Sequence, residues 1–209
     1  MCKIGAVILA AGASSRLGQS KQLLVFRGKT LVRNVIDAAC EAGCWPVVVV
    51  IGDNAENIHR ELARADVMEV RNANWQWGIG SSIRCGVRAL VDQAPDVEAT
   101  FLLVCDQPAV NARLIERMIS TRAATKKDVV ASSYAGTVGV PALFDRSVFE
   151  KLLSLGDEAG AKSIILQKPE HVALFTFPEG ATDIDTSEDL EDLNERSHPP
   201  QGEERAQTD

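Results

Sequence analysis

Uninterrupted apolar runs separated by amphipathic stretches dominate the first half of the chain. Residues 6–10, 47–51 and 101–104 are such runs, and each is followed by glycine or by a polar residue within a few positions. Runs of this kind are typical of strands that are buried on both faces of a parallel sheet. Helical periodicity over 31–42, 54–64 and 81–91 fills the spaces between strands. The pattern therefore predicts an α/β protein with a single-domain, three-layer, Rossmann-like fold and a mostly parallel sheet.

The remaining elements follow from local signals. Thr30 is expected to cap the first helix and Gly43 to end it, and Asn111 is expected to start a helix that reaches about Thr125. The Ala135-Gly136 pair between two β-prone runs predicts a hairpin. Further strands are expected at 67–70, 128–134 and 172–177, helices at 145–155 and 159–167, and a last helix that opens at Ser187.

Composition limits the class of protein. At 209 residues, with 45% apolar and 24% charged residues, the chain has the length and balance of one globular domain. We expect that domain over residues 1–195, with the polar segment 196–209 as a disordered tail. A net charge of −7 argues against nucleic acid as a partner, and no apolar stretch is long enough to span a membrane. No secretory signal is recognisable, so the cytoplasm is the expected compartment.

The cysteines and histidines offer no nucleophile. The five cysteines are odd in number and include no C-x-x-C pair, and Cys40 and Cys44 have the spacing of buried helical positions. The histidines, His59, His171 and His198, lie outside every motif described below. Cys105 is expected to be buried in a strand. The chain therefore shows no Ser–His–Asp arrangement and no activated thiol.

The segment after the first strand has the layout of a phosphate site. The strand ends in Leu9, Ala10, Ala11 and Gly12, where successive backbone N–H groups form a concavity that attracts anions. Arg16 and Lys21 follow as a planar fork and a mobile point charge. The alternative is an ordinary buried strand and turn with both cations in solvent.

A second segment with small residues precedes a helix. Gly80, Ser81 and Ser82 begin an amphipathic stretch, so Ser81 or Ser82 is expected to cap the helix and leave its first amides facing outward. The alternative is a capped helix with no ligand. Trp75 and Trp77 lie just before it and are expected to anchor the loop, with a position flanking the site as the alternative.

Carboxylates follow two of the later segments. Asp106 stands at the end of the strand over 100–105 and is followed by Gln107-Pro108. Ligands of open parallel sheets bind beyond the carboxyl ends of strands, so Asp106 is expected to face a ligand and, with a triphosphate, to hold Mg²⁺. The alternative is a turn-forming aspartate. Asp183 and Asp185 lie two residues apart near the end of the chain, where an N-capping role is the alternative.

Taken together, three motifs resemble one family. They are Leu-Ala-Ala-Gly-x-Ser-x-Arg-Leu-Gly-x-x-Lys-x-Leu-Leu at 9–24, Asp-Gln-Pro at 106–108 and Asp-Ile-Asp-Thr-x-Glu-Asp-Leu at 183–190. The chain is similar over residues 4–194 to molybdenum cofactor cytidylyl- and guanylyltransferases, whose fold is of the nucleotide-diphospho-sugar transferase type. The resemblance implies that Gly80, Ser81 and Ser82 hold the nucleoside and that Asp185 is the second metal ligand, with Asp183 as the alternative.

The same resemblance implies a reaction. It is transfer of CMP from CTP to a phosphorylated acceptor, molybdopterin or the molybdenum cofactor, with Mg²⁺ as cofactor, release of pyrophosphate, and a molybdoenzyme or its chaperone as a protein partner. Ala11 stands where the guanylyl branch has glycine, and its methyl group is expected to disfavour a purine. Val140 stands where many relatives have histidine, so the acceptor is not identified.

Two other functions stay open at this point. One is a nucleotide-linked oxidoreductase of the same fold, for which an acidic residue about 20 positions after the glycines would be expected. Residues 30–34 (Thr-Leu-Val-Arg-Asn) contain none. The other is a non-catalytic nucleotide-binding accessory protein, which the two intact acidic motifs disfavour.

Overall fold

The strand β1 (Ile4–Ala10) is an interior strand of the main sheet. It pairs in parallel with β4 (Val47–Ile51) on one side and with β6 (Ala99–Val104) on the other. Both faces of these strands are covered by helices, which explains why their sequences are apolar at every position rather than at alternate ones. The computed structural model describes residues 3–12, 20–52, 55–63 and 65–182, together with Ile184 and Asp189.

A seven-stranded sheet forms the middle layer of the described part of the chain. Besides β1, β4 and β6 it contains β5 (Met68–Arg71), β7 (Val129–Tyr134), β8 (Thr137–Asp145) and β9 (Val172–Thr176). The strand order is β5-β4-β1-β6-β8-β7-β9. All are parallel to β1 except β8, which runs antiparallel to both β6 and β7. The predicted, mostly parallel sheet is therefore confirmed. A two-stranded ribbon, β2 (Val25–Phe26) with β3 (Lys29–Thr30), lies outside it.

Helices cover both faces of the sheet and complete the three layers. One face carries α1 (Leu31–Glu41), α2 (Ala55–Leu62) and α4 (Ala112–Thr125), and the other carries α3 (Ile79–Gln93), α5 (Phe149–Leu153) and α6 (Lys162–Gln167). Side chains alternate along β1, so Ala6 and Ile8 pack in the cluster with α1 and α4, whereas Val7 packs with α3. None of the helices in the described ranges has the length and apolar character of a membrane span.

Most local predictions are confirmed, with shifts at the ends of elements. Thr30 caps α1 by accepting a hydrogen bond from the Arg33 amide, and Asn111 caps α4 in the same way through Leu114. The hairpin turns at Ala135 and Gly136, both with positive φ.

The two helices predicted at 145–155 and 159–167 are shorter in the structure. A 3₁₀ turn over Arg146–Val148 precedes α5, because the Asp145 carboxylate accepts from the Ser147 amide and tightens that start. Of the helix predicted from Ser187, the structure describes Asp189, which is helical; the rest of that helix and the tail over 196–209 lie outside the described residues.

The sheet order places a crevice between the carboxyl ends of β1 and β6. After β1 the chain moves to β4 and β5 on one side of the sheet, and it later returns to β6 on the opposite side. In open α/β sheets, the point where strand order reverses is where ligands bind. The loop after β1 and the residues after β6 meet at this point.

Candidate active site

The loop after β1 is held by a buried amide side chain. Gln22 Nε2 donates to the carbonyl oxygens of Ala10, at 3.2 Å, and Gly12, at 3.0 Å. Its Oε1 accepts from the hydroxyl of Ser20 at 2.6 Å. These bonds fix the direction of the loop carbonyls before any ligand binds. Sequence reasoning assigned no role to Gln22.

Ala11 and Gly12, the first two residues of the loop after β1, differ in their exposure to solvent. Gly12 is exposed, and no atom of the described residues lies closer than 3.9 Å to the position of a Cβ there. The side chain of Ala11 instead lies in the core cluster with Val50 and Ile83. Our expectation that the Ala11 methyl group meets the base of the nucleotide is therefore wrong, because that methyl group packs in the core.

A lysine from this segment meets the carboxylate that follows β6. Lys21 Nζ lies 3.0 Å from Asp106 Oδ2, with the two side chains 14% and 34% exposed. The register of β1 with β6 pairs Leu9 with Val104, and the Cys105 thiol donates to the Leu9 carbonyl at 3.6 Å. The structure thus brings together Lys21 and Asp106, which are 85 positions apart in sequence.

The segment around Ile184, near the end of the described residues, lies next to Asp106. The amide of Ile184 donates to the Asp106 carbonyl at 3.0 Å, and the Ile184 side chain is fully buried. Asp183 and Asp185, which flank it in sequence, and Arg16 lie outside the described residues. Within the described ranges, no group of three or more His, Cys, Asp or Glu side chains is arranged to hold a metal ion.

The start of α3 differs from its prediction. Gly78, with φ of 129°, is the N-cap, and Ser81 and Ser82 lie inside the first turn. Neither serine is therefore the cap. Both are buried, and Asn72, after β5, donates through Nδ2 to the Ser81 hydroxyl at 2.9 Å and the Ser82 hydroxyl at 3.0 Å.

The first amides of α3 are used by the protein itself. The Gly80 amide donates to the Asp157 carbonyl at 2.8 Å, and the Ser81 amide to the Gly78 carbonyl at 3.2 Å. A Cβ on Gly80 would lie 2.0 Å from the Gly156 carbonyl oxygen. The expectation that these amides face outward is therefore wrong, because the Gly80 amide bonds to the loop over 156–159 and the Ser81 amide bonds back to Gly78. Gly80 is needed for this close packing, whatever else it contacts.

The cysteines do not supply a nucleophile in the described part of the chain. Burial raises the pKa of the Cys105 thiol, and the neighbouring Asp106 charge raises it further. Burial raises the pKa of Cys44 to about 12. Both thiols are therefore protonated at neutral pH.

The described histidines and tryptophans lie mostly at the surface. The rings of His59 and His171 are exposed, and each lies 2.7 Å from a carboxylate, of Glu69 and Asp128 respectively. Trp75 is half-buried against the core, which fits the predicted anchoring role, whereas Trp77 is exposed.

A groove of about 770 Å³ lies beside α1 and α4, on the opposite face from α3. Its described lining includes Phe26, Arg113 and Phe175 but none of the described residues predicted to bind nucleotide or metal. Lys21 and Asp106 do not line the groove, although Pro108 and Thr182, which are near Asp106 and Ile184 in sequence, do.

Comparison with known proteins agrees with this geometry. The chain belongs to the family of the MobA-like NTP transferase domain, whose model matches residues 6–172. The mostly parallel seven-stranded sheet with helices on both faces is the nucleotide-diphospho-sugar transferase fold, which its nucleotidyltransferase neighbours share.

Individual relatives carry different names. The chain is 32% identical to the nicotine blue oxidoreductase of Paenarthrobacter nicotinovorans, over 88% of the chain and 93% of that protein. It is 23% identical to the molybdenum cofactor cytidylyltransferase of Escherichia coli K12, over 94% of the chain and 98% of that protein.

Among solved structures, Rv0371c of Mycobacterium tuberculosis H37Rv has a TM-score of 0.76 and 28% identity, covering 93% of this chain and 99% of that one. A complex of the same protein with manganese has a TM-score of 0.69 and covers 93% of this chain and 98% of that one.

Proposed function

We propose that the protein is a cytidylyltransferase that transfers CMP from CTP to a phosphorylated acceptor and releases pyrophosphate. The observation that carries this proposal is the Lys21–Asp106 pair at the carboxyl ends of β1 and β6, together with the exposed Gly12 in the loop that follows β1. A cation, a carboxylate and a glycine loop at that point suit a triphosphate.

Lys21 is assigned to the phosphates. Its ammonium group is held by Asp106 in the structure and, on nucleotide binding, becomes a point charge for the β- and γ-phosphates. Arg16, earlier in the same motif, is proposed to contact the same phosphates as a planar fork.

The donor set at Asp106 fits a hard divalent cation such as Mg²⁺. Mg²⁺ usually takes one or two protein carboxylates and completes its shell with phosphate oxygens and water. Asp106 offers one partly exposed carboxylate, and Ile184 holds the chain beside it at the point where Asp183 and Asp185 occur in sequence. Asp185 is proposed as the second ligand, with Asp183 as the alternative. When bound, the cation would offset charge on the triphosphate.

The nucleoside is proposed to lie between the β1 loop and the start of α3. Backbone groups of Leu9, Ala10, Ala11 and Gly12 would face the base and ribose, and Gly80, Ser81 and Ser82 would form the opposite side. The Asn72 side chain, which binds both serine hydroxyls, fixes the spacing of that side from the end of β5.

The chemistry requires positioning rather than a general base. An ionised oxygen of the acceptor phosphate attacks the α-phosphorus of CTP and forms the new bond to it. The bond from that phosphorus to the bridging oxygen breaks, and pyrophosphate leaves with its electron pair. Lys21 and Arg16 stabilise the charge that develops on the leaving group.

The acceptor is proposed to be molybdopterin or the molybdenum cofactor, with a molybdoenzyme or its chaperone as recipient of the product. Support comes from the resemblance of the three motifs and from the E. coli relative. Val140, in β8, has no hydrogen-bonding group in its side chain, so acceptor contacts there would be apolar.

The test is pyrophosphate release with each of the four nucleoside triphosphates, with and without phosphorylated pterin acceptors. We expect release that requires both CTP and an acceptor phosphate, and that stops when EDTA removes divalent cations. Binding of CTP without turnover with any acceptor would instead favour a nucleotide-binding accessory protein. Pyrophosphate release with GTP but not with CTP, in the presence of an acceptor, would overturn the cytidylyl assignment.

A second candidate, a nucleotide-linked oxidoreductase, is favoured by one observation. The relative from Paenarthrobacter nicotinovorans, at 32% identity, is named an oxidoreductase. Loss of NADH or NADPH absorbance in the presence of quinone-like dyes would support it. Dye reduction that persists in an Asp106→Ala variant would show that such an activity does not use the site described above.

A further inference from the structure

Gln107 directly follows Asp106 and is almost completely buried, with 2% of its surface exposed. Its Nε2 donates to the carbonyl oxygen of Gly180 at 3.1 Å. Its Oε1 is buried and has no hydrogen-bond partner among the described residues. A buried amide with only one half satisfied costs stability, so its presence calls for a reason other than packing.

The bond to Gly180 is one of two connections between the same segments. The Ile184 amide donates to the carbonyl of Asp106 at 3.0 Å, four residues after Gly180. The end of β6 and the segment 180–184 are therefore joined through one side-chain bond and one backbone bond. Asp183 lies within this segment in sequence, and Asp185 directly follows it.

We propose that Gln107 is a positioning residue that fixes segment 180–184 against Asp106 and so sets the affinity of the site for a divalent cation. The inference rests on the proposed function, because it assumes that the carboxylates of the two segments share that cation. Residues that orient metal ligands typically change metal affinity by about 10- to 100-fold when they are replaced.

Gln107→Met separates positioning from stability. Methionine has a similar length, but it removes both the donor to Gly180 and the unpartnered Oε1. Loss of the hydrogen bond to Gly180 lowers stability, whereas removal of the buried, unpartnered Oε1 raises it. We therefore expect the melting temperature to change by no more than about 3 °C. Affinity for the cation should nevertheless fall.

Ser132→Ala is a matched control. Ser132 is also fully buried, and its hydroxyl donates to the Pro141 carbonyl at 2.7 Å. This bond joins β7 to β8 and involves neither Asp106 nor segment 180–184. A general loosening of the protein would affect both variants, whereas loss of positioning would affect only Gln107→Met.

The experiment measures Mn²⁺ binding to the full chain by electron paramagnetic resonance, with CTP present, together with hydrogen exchange of the peptide that spans 180–184. For Gln107→Met we expect about tenfold weaker Mn²⁺ binding and faster exchange in that peptide. For Ser132→Ala we expect neither change.

Unchanged Mn²⁺ affinity and unchanged exchange in Gln107→Met would overturn the inference. If the parent protein binds no Mn²⁺, the metal site of the proposed function fails, and exchange alone then decides whether Gln107 holds the segment. If Gln107→Met does not fold, Gln107→Leu is measured in the same way, with the same outcomes.

Discussion

Replacement of Asp106 by alanine separates a role in the reaction from a role in the fold. The carboxylate is partly exposed and, among the described residues, makes one ion pair, with Lys21 at 3.0 Å. Ion pairs at such positions contribute at most about 1 kcal/mol, because solvent screens them. For a chain of this length that loss lowers the melting temperature by about 2–4 °C. We therefore expect Asp106→Ala to remain folded at 25 °C.

The expected effect on catalysis is much larger. Removal of one group that stabilises charge in the transition state typically costs 10²- to 10³-fold in kcat, which is about 3–4 kcal/mol. The loss of activity should thus exceed the loss of stability by at least about 2 kcal/mol. Pyrophosphate release in a coupled assay, with thermal melts on the same samples, measures both quantities.

Asp145→Ala is the control for this comparison. Asp145 also pairs with one cation, Arg122, and its side chain is 28% exposed, close to the 34% of Asp106. It pairs in register with Ala99 at the start of β6, which is the opposite edge of the sheet from Asp106. We expect Asp145→Ala to lose stability but keep its rate. Parent-level pyrophosphate release by a folded Asp106→Ala would refute the role of Asp106.

Other substitutions test the remaining parts of the argument. Lys21→Ala should weaken binding of CTP by about 10- to 100-fold and of CMP much less, because the charge faces the outer phosphates; equal losses in calorimetric titrations would assign Lys21 elsewhere. Ala11→Gly should lower stability by about 1–2 kcal/mol without changing the ratio of kcat/KM for CTP and GTP, since the methyl group lies in the core. Cys44, whose pKa burial raises to about 12, should react with iodoacetamide at pH 8 far more slowly than the exposed Cys40, as peptide mass mapping would show. Burial raises the pKa of Asp145, but hydrogen bonds from Ser147 and Arg122 outweigh it and hold that pKa below 3.8. The stabilisation from Asp145 is therefore present above about pH 4 and is lost as pH falls through the folded-state pKa, so the difference in melting temperature between the parent and Asp145→Asn should shrink on acidification.

The sheet and the position of Asp106 were predictable because they depend on patterns that are local in sequence. Apolar runs such as 47–51 identify strands buried on both faces, and intervening helices require parallel connections. Parallel strands place their carboxyl ends at one edge, so Asp106 after β6 was expected to face a ligand there. The structure places Asp106 at that edge, 3.0 Å from Lys21 of the segment that follows β1.

The amide side chains that organise the site were not predictable in the same way. Gln22, Asn72 and Gln107 are all buried, although glutamine and asparagine are mostly exposed in proteins. Gln107 binds a carbonyl 73 positions away in sequence. No periodicity or capping rule encodes such a partner, because the partner is defined only once the sheet has formed.

The start of α3 shows how tertiary packing overrides a local signal. Serine at 81 or 82 has the side chain of a good N-cap, yet Asn72 binds both hydroxyls and Gly78 takes the cap position. A Cβ on Gly78 would lie 2.5 Å from the Asp157 carbonyl oxygen, so the loop over 156–159 leaves space for glycine alone. The Asp157 carbonyl of the same loop also accepts the hydrogen bond from the Gly80 amide. At a helix start that no loop covers, this amide would be available to a ligand. Any contact of this helix with a nucleoside therefore depends on a loop that lies more than 70 residues later in the chain, and that dependence is absent from the motif Gly80-Ser81-Ser82 itself.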